Sequence, residues 1–322
     1  MTYIFESGLA HHIEGLIQQK RADGYAYNSE EKLLKRFDTF CVQNYPELTT
    51  VTYEMAAKWS EDRPGEGDAY HNRCMSMVKV LSEYILSLGQ EAYIPNFFCK
   101  AYRPVLYIPS KEEVKELLQK MDIRTSHNSE QFRLDRECKI LFLLYFCCGL
   151  RLSEGRLLKW EHIDLDKGIL TVLGSKGNKD RLVYLPQDSL PVLKNYKERQ
   201  EMLFPGIDWA FPGKDPHKPV SCSGVESSFN RHWAMLPVAR TVDKHPTPHC
   251  LRHAFVVERF NEWMHQGIDT NTMLPYLSRY LGHKSPDETY YYYHLVEKAF
   301  DTIREKDSVS GKVIPEVIPY EE

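Results

Sequence analysis

Three short segments, far apart in the sequence, carry residue types that can do chemistry on a phosphate group. Arginine and histidine side chains can bind or protonate phosphate oxygens, and a tyrosine hydroxyl can attack phosphorus. Arginine, histidine and tyrosine all occur here near glycines and prolines, which restrict the conformation of the backbone. The segments are residues 149–154 (GLRLSE), 247–253 (TPHCLRH) and 281–289 (LGHKSPDET), the last followed by four tyrosines at 290–293.

The second segment predicts a helix N-terminus that suits an anion. Thr247 is a suitable N-cap, and Pro248 is a suitable first helical residue. His249 and Arg252 then lie three positions apart on one face of the first turn. Free backbone N–H groups and the helix dipole favour a negative charge there. The same residues are also compatible with an ordinary capped helix that exposes polar side chains.

A zinc site is a further interpretation of this segment. His249 and His253 are four positions apart, as in the H-E-x-x-H helices that bind zinc. No glutamate follows the first histidine, and Arg252 places a cation between the two candidate ligands. We therefore expect no metal and no other cofactor. A zinc hydrolase remains an alternative, and it predicts loss of activity with a chelator.

The other candidate residues also have ordinary structural explanations. Arg151 could be a surface arginine, although a sharp turn at Gly149 would hold it at the inner edge of its domain. Lys176 could be one of the many lysines found in turns, and His283 a residue at a helix end. The tyrosines at 290–293 could form a packing stripe. Together and in this order, these signals are harder to explain by ordinary roles than any one of them alone.

The elements that must position these residues form two predicted domains. Residues 92–109 include three prolines and keep no sustained period, which is typical of a linker. We predict a helical domain over 1–103 and a larger domain over 104–322 that ends in a tail. Apolar residues at helical spacing predict four short helices in the first domain, around residues 9–17, 33–41, 53–59 and 74–88.

The second domain is predicted to be mostly helical, with one small sheet. Ser110 and Glu113 form a capping box, S-x-x-E, which begins its first helix. Two apolar, β-branched runs separated by a turn composition predict a hairpin with Lys176 at its tip. The fold class is therefore mainly α with a small β-sheet (α+β). The predicted segments are a buried helix at 134–148, strands at 168–174 and 181–185, and mostly helix over 223–305.

Composition and charge limit the class of protein. The 322-residue chain has a net charge of −4, which is low for a DNA-binding protein. The tail at 301–322 holds six acids and three bases, so −3 of that charge lies there. The eight cysteines form no C-x-x-C pair and predict a reduced, cytoplasmic protein. No apolar run approaches the roughly 20 residues that span a bilayer, so we expect no membrane partner.

The sequence resembles the tyrosine recombinases, a family that includes phage integrases and Xer-type recombinases. The motifs that carry the resemblance are G-L-R-x-S-E, the K-G-N-K hairpin, H-x-L-R-H, and L-G-H followed by Y-x-H. They fall between about residues 108 and 300, which is similar to the family's catalytic domain. The N-terminal helices are similar to its core-binding domain, which contacts DNA.

The resemblance implies a role for each residue that matches a motif. Arg151 and Arg252 match the two arginines that clamp the phosphate. Glu154 matches the acidic residue that orients the first of these arginines. Lys176 matches the hairpin lysine that protonates the leaving 5′ oxygen.

The resemblance also assigns histidines and a nucleophile. The family's tyrosine lies nine positions after the L-G-H histidine, which here leads from His283 to Tyr292. Adjacent tyrosines on a helix point about 100° apart, so only one can face the phosphate. Tyr291 is the next candidate. His249 matches the second active-site histidine, and His253 matches a supporting residue.

These roles imply a site-specific DNA recombinase that works without metal or ATP. Such an enzyme forms a 3′-phosphotyrosine and reseals the strand from it. The expected partners are double-stranded DNA with inverted-repeat target sites and further copies of the chain, as a homotetramer on a pair of sites. The alternatives are an enzyme similar to type IB topoisomerases, which relaxes DNA without a specific sequence, and a non-catalytic DNA-binding protein on the same fold.

Overall fold

The computed structural model describes residues 3–61, 65–100, 106–123, 127–175, 179–242 and 244–292. The chain divides into two compact units, Met1–Val105 and Leu106–Glu322. The predicted boundary near residue 104 lies outside the described residues, and the roles of the two predicted domains stay predictions. The predicted tail at 301–322 also lies outside the described residues.

The described residues of the first unit form a bundle of four helices, as the apolar spacing predicts. Its helices are α1 (Ala10–Ala22), α2 (Asn28–Asn44), α3 (Tyr53–Trp59) and α4 (Asp68–Ser87). Each helix buries an apolar stripe towards one core. Fully buried members of this core include Leu9, Ile13, Leu34, Met75, Val78 and Leu81.

The second unit is built around a long buried helix, α6 (Ser129–Cys148), which packs against α5 (Lys111–Lys120). The predicted capping box at the start of α5 is present, since Ser110 and Glu113 cap each other's backbone N–H groups. Helix α6 begins five residues before the predicted position. Its N-cap, Asn128, accepts hydrogen bonds from two backbone N–H groups and so begins the helix in a polar stretch.

The predicted hairpin is present as two strands of a three-stranded antiparallel sheet. Strand β2 (Ile169–Ser175) pairs with β3 (Lys179–Tyr184), and a short first strand, β1 (Ile163–Asp164), pairs with β2. Strand β1 was not predicted from the sequence. Residue Lys176, predicted at the hairpin tip, lies outside the described residues.

Further helices complete the second unit and confirm the fold class as mainly α with a small sheet. Helix α10 (Cys250–His265) packs along α6, and α11 (Thr270–Leu281) contacts α12 (Asp287–Tyr290). No helix among the described residues is long and apolar enough to cross a bilayer. The remaining helices are α7 (Leu152–Arg156), α8 (Leu190–Leu203), α9 (Cys222–Trp233), α10 (Cys250–His265), α11 (Thr270–Leu281) and α12 (Asp287–Tyr290).

Helices α6 and α11 each have a C-cap glycine in the left-handed conformation. Gly149 follows α6 with φ +62°, and Gly282 follows α11 with φ +66°. This conformation reverses the chain direction at a helix end, and glycine adopts it without the penalty that a Cβ brings. The chain leaves both helices directly into segments that carry predicted site residues.

Substitution at Gly149 is expected to destabilise the second unit strongly. A Cβ there would lie 2.6 Å from Cδ1 of Phe255 and would also sit on a left-handed residue. We expect Gly149→Ala to lower the free energy of unfolding by about 2–4 kcal/mol, measured by chemical denaturation. The matched control is Gly206→Ala, with φ +73° but no described atom within 4 Å of the added Cβ. Its expected loss is about 1 kcal/mol, and equal losses would contradict the prediction.

Candidate active site

Arg252 is held by main-chain carbonyl groups at the ends of two helices. Its Nη1 donates to the carbonyl oxygen of Gly149 (2.6 Å), and its Nη2 donates to that of Leu281 (2.8 Å). The C-terminal ends of helices carry partial negative charge, which stabilises a cation. Burial, followed by repulsion from Arg151, lowers the pKa of Arg252 to about 10. The guanidinium therefore stays charged at neutral pH although only 1% of the residue is exposed.

Arg151 is held at the same place by a carboxylate and a third carbonyl group. It is the N-cap residue of α7, and its backbone N–H donates to Oε2 of Glu154 (2.7 Å). Its Nη1 donates to Oε1 of the same carboxylate (2.9 Å), and its Nη2 donates to the carbonyl oxygen of Gly282 (2.6 Å). Glu154 thus fixes both the backbone and the side chain of Arg151.

Arg181, on β3, completes the surroundings of the Glu154 carboxylate. Its Nη1 and Nη2 donate to Oε1 and Oε2 of Glu154 in a two-pronged pair, both at 2.8 Å. Its Nε donates to the carbonyl oxygen of Tyr280 (2.8 Å). Burial acts to raise the pKa of Glu154, but the hydrogen bonds from Arg181 and Arg151 outweigh it and lower that pKa to about 2.

His283 sits between Arg252 and a threonine hydroxyl. Its Nε2 lies 3.0 Å from Nη2 of Arg252, and its Nδ1 lies 2.7 Å from Oγ1 of Thr289. Because a guanidinium can only donate, Nε2 must accept, and the proton of the neutral ring is then on Nδ1. Burial, with Arg252 and Arg151 nearby, lowers the pKa of His283 to about 3. The ring is therefore neutral at pH 7.

Tyr292 is the buried one among the tyrosines of the run that the structure describes, Tyr290 to Tyr292. It is 5% exposed, whereas Tyr290 and Tyr291 are 45% and 40% exposed. Its phenol oxygen lies 2.6 Å from Nδ1 of His253, within hydrogen-bond distance. Burial raises the pKa of Tyr292 to about 12, although the positive charge of Arg252 opposes the shift. Burial, together with His249 and Arg252, lowers the pKa of His253 to about 3.

His249 lies at the exposed start of α10, one turn before His253. The centroids of the two imidazole rings are 4.7 Å apart, and the rings are nearly perpendicular. The prediction for the start of this helix was wrong by two residues, because α10 begins at Cys250 and His249 is its N-cap. The hydroxyl of Thr247 lies 3.7 Å from Sγ of Cys250 instead of capping the helix. Among the described residues, no group of three or more His, Cys, Asp or Glu side chains could hold a metal ion.

The fold brings together the predicted site residues that the structure describes. Lys176 is the exception, because it lies between β2 and β3 outside the described residues. Arg181 and Thr289 also lie in the site and were not predicted from the sequence. Alternation along β3 contained a signal for Arg181, since exposed Leu182 separates it from buried Val183, which places Arg181 on the inner face. The residues brought together are Arg151, Glu154, His249, Arg252, His253, His283 and Tyr292.

Two anchored arginines, neutral histidines and a tyrosine, on a mainly helical domain, define a class of protein that handles phosphodiesters. Residues 110–299 match the model of the phage integrase family. The chain therefore belongs to this family, and its enzyme class is that of the site-specific DNA recombinases and integrases.

Curated relatives are similar along most of the chain. A putative integrase/recombinase, y4rB, of Sinorhizobium fredii is 28% identical over 301 residues, which cover 87% of this chain and 90% of the relative. The tyrosine recombinase XerC of Alcanivorax borkumensis is 27% identical, with 87% and 86% covered. These relatives confirm the family that the sequence motifs predicted.

Solved structures share the fold at low sequence identity. The Tn1549 transposon integrase, in complex with circular intermediate DNA, matches with a TM-score of 0.63 at 15% identity, covering 92% of this chain and 98% of that one. The recombinase XerH, bound to its difH substrate before cleavage, matches with a TM-score of 0.61 at 20% identity, covering 87% and 79%. The fold class is therefore that of known recombinases.

Acid is expected to destabilise the protein through its buried histidines. His253 and His283 have pKa values of about 3 in the folded chain, and about 6.5 is usual for an unfolded chain. Below pH 6.5 the unfolded chain therefore binds more protons, and stability falls as the pH falls towards 3. Between pH 7 and pH 5 we expect each histidine to lower the free energy of unfolding by about 1–2 kcal/mol.

Denaturant titrations at these two pH values check this prediction. His253→Gln removes one of the two groups, so the difference in stability between pH 7 and pH 5 should shrink by one histidine's share. An unchanged difference would show that His253 does not titrate in this way.

Proposed function

We propose that this recombinase cuts one DNA strand by attack of Tyr292 on a phosphodiester, which leaves a 3′-phosphotyrosine and a free 5′ hydroxyl. The observation that carries the proposal is the convergence of Arg151, Arg252 and His283 around the ends of α6 and α11. The buried Tyr292 joins the same cluster through His253. The 5′ hydroxyl of a second strand then attacks the phosphotyrosine, which conserves the bond energy, so no ATP is needed.

The two arginines, Arg151 and Arg252, form what we call the arginine clamp. Each guanidinium has more N–H donors than the contacts to Glu154 and the three carbonyl groups use, so donors remain for phosphate oxygens. Their fixed orientation means that little reorganisation is needed when charge develops on those oxygens. In this proposal the clamp supplies the positive charge that a metal ion supplies in other phosphoryl-transfer enzymes.

The histidines would complete the phosphate site. His283 is neutral and bonded to Arg252, so it can keep one edge of that guanidinium in place. His249 is exposed at the start of α10, where an incoming phosphate could reach its ring at the positive end of the helix dipole. His253 is the described side chain within hydrogen-bond distance of the phenol oxygen, and we assign it the placement of Tyr292.

We propose double-stranded DNA with inverted-repeat sites as the substrate, bound by a homotetramer on a pair of sites. Support comes from relatives named as integrases and Xer recombinases, and from XerH, whose solved structure contains a palindromic difH substrate. Strand exchange needs two cut sites, and each cut consumes one tyrosine. An assembly of several chains therefore follows from the chemistry that we propose.

The covalent intermediate tests the nucleophile. We expect the unmodified protein to be trapped on a nicked suicide duplex that carries its target site, and Tyr292→Phe to form no adduct. The matched control is Tyr291→Phe, which removes the exposed neighbouring hydroxyl and should still be trapped. The adduct is measured by denaturing gel and peptide mapping, with target sites taken from inverted repeats in the DNA that flanks the gene.

The outcomes of this experiment separate the alternatives. An adduct through Tyr291 would overturn the choice of nucleophile. If the unmodified protein formed no adduct, that would favour a DNA-binding protein without activity. Relaxation of a plasmid that lacks any target site would favour an enzyme similar to type IB topoisomerases.

A leaving group that needs no proton tests Lys176. We propose that this lysine protonates the 5′ oxygen, so Lys176→Ala should slow cleavage by about 100-fold or more. In a substrate with sulfur in place of that bridging oxygen, the leaving group departs as a thiolate, which is stable without a proton. Cleavage of this substrate by Lys176→Ala should return to within about tenfold of the unmodified protein, measured in single-turnover reactions. An equal defect on both substrates would contradict the proposal that Lys176 protonates the 5′ oxygen. The control is Lys179→Ala, in the same hairpin.

A further inference from the structure

Arg181 contacts the same carboxylate as the arginine clamp, but its hydrogen bonds go to Glu154 and Tyr280 and not to the clamp's carbonyl anchors. Its side chain is 9% exposed, and its guanidinium donates to both oxygens of Glu154 and to the carbonyl oxygen of Tyr280. All three nitrogens of its guanidinium thus donate to protein acceptors, which indicates a role within the ion cluster around Glu154.

The charges around Glu154 show what Arg181 changes. Three arginines surround this one carboxylate, since Nη1 of Arg252 also lies 3.9 Å from its Oε2. The cluster therefore carries a net charge of about +2. Without Arg181 it would carry about +1, and both carboxylate oxygens would lose a strong donor. The freed oxygens could then bind Arg151 and Arg252 more closely.

We propose that Arg181 is a positioning residue that saturates the Glu154 carboxylate, so that Arg151 and Arg252 keep their charge and their free N–H groups for a DNA phosphate. This inference rests on the proposed function, because it assumes that the two arginines clamp the scissile phosphate. Arg181 would act through Glu154 on the charge of the clamp, without touching the reacting atoms.

A purely structural role is the competing explanation. In that case Arg181 only ties β3 to α7 and α11, and its loss would slow every reaction of the enzyme to the same extent. The two explanations differ for a substrate whose phosphate carries no charge. A methylphosphonate at the scissile position replaces one charged oxygen by a methyl group, so the clamp has no negative charge to neutralise.

The experiment compares single-turnover cleavage of a nicked phosphodiester duplex and the matched methylphosphonate duplex by the full-length chain. We expect Arg181→Gln to slow cleavage of the phosphodiester by about 100-fold, but that of the methylphosphonate by less than about tenfold. Each variant serves as its own reference, so a partly unfolded fraction cancels from the ratio. Equal defects on the two substrates would overturn the proposal.

Arg133→Gln is the matched control. Arg133 also pairs with a carboxylate, that of Glu137, at 2.8 Å, and it also donates to a backbone carbonyl oxygen, that of Gly213. It lies 16 residues before Gly149 on α6, or roughly 24 Å along the helix. We expect this variant to lose stability without changing the ratio of the two cleavage rates, and a changed ratio would overturn the assignment to Arg181.

Arg151→Gln separates this inference from the proposed function. If its defect is the same on both substrates, the arginine clamp itself is wrong. If the methylphosphonate relieves the defect of Arg151→Gln but not that of Arg181→Gln, only the inference about Arg181 fails.

Discussion

Glu154 is the anion around which three buried or half-buried arginines are arranged, and the geometry of the site depends on it. Arg151, Arg181 and Arg252 come from α7, β3 and α10, which are distant in the sequence. A buried cation without a counter-charge costs several kcal/mol, so these arginines could not share the interior without a carboxylate between them. The ion cluster therefore joins the sheet and two helices at the place where the predicted chemistry occurs.

Much of the fold could be predicted because its elements follow apolar periodicity. The four helices of the first unit, the capping box before α5 and the hairpin of β2 and β3 all carry local signals. The errors fall where polar contacts set the ends of elements. Helix α6 begins at a polar stretch capped by Asn128. Helix α10 begins after the predicted position, since the hydroxyl of Thr247 lies near Sγ of Cys250 and does not cap the helix. Strand β1 is two residues long, too short for a pattern.

The candidate site could be predicted in its residue types but not in its contacts. The sequence motifs predicted Arg151, Arg252 and His283 as site residues, and the structure brings them together. Alternation along β3 places Arg181 on the inner face, but its pairing with Glu154 depends on tertiary structure that no local pattern contains. Thr289 could not be predicted as a site residue, because the contact of its hydroxyl with His283 depends on the path of the chain after Gly282. Contacts of this kind depend on tertiary structure.

Besides the Glu154 carboxylate, the carbonyl oxygens of Gly149, Leu281 and Gly282 anchor the arginine clamp. Every amino acid brings a carbonyl group, so these anchors do not depend on which residue occupies the position, provided that the backbone keeps its course. Sequence drift along α6 and α11 can therefore alter the surroundings of the site without moving its charges. Two left-handed glycines carry most of that constraint, which leaves the neighbouring surfaces free to diverge towards different DNA sequences.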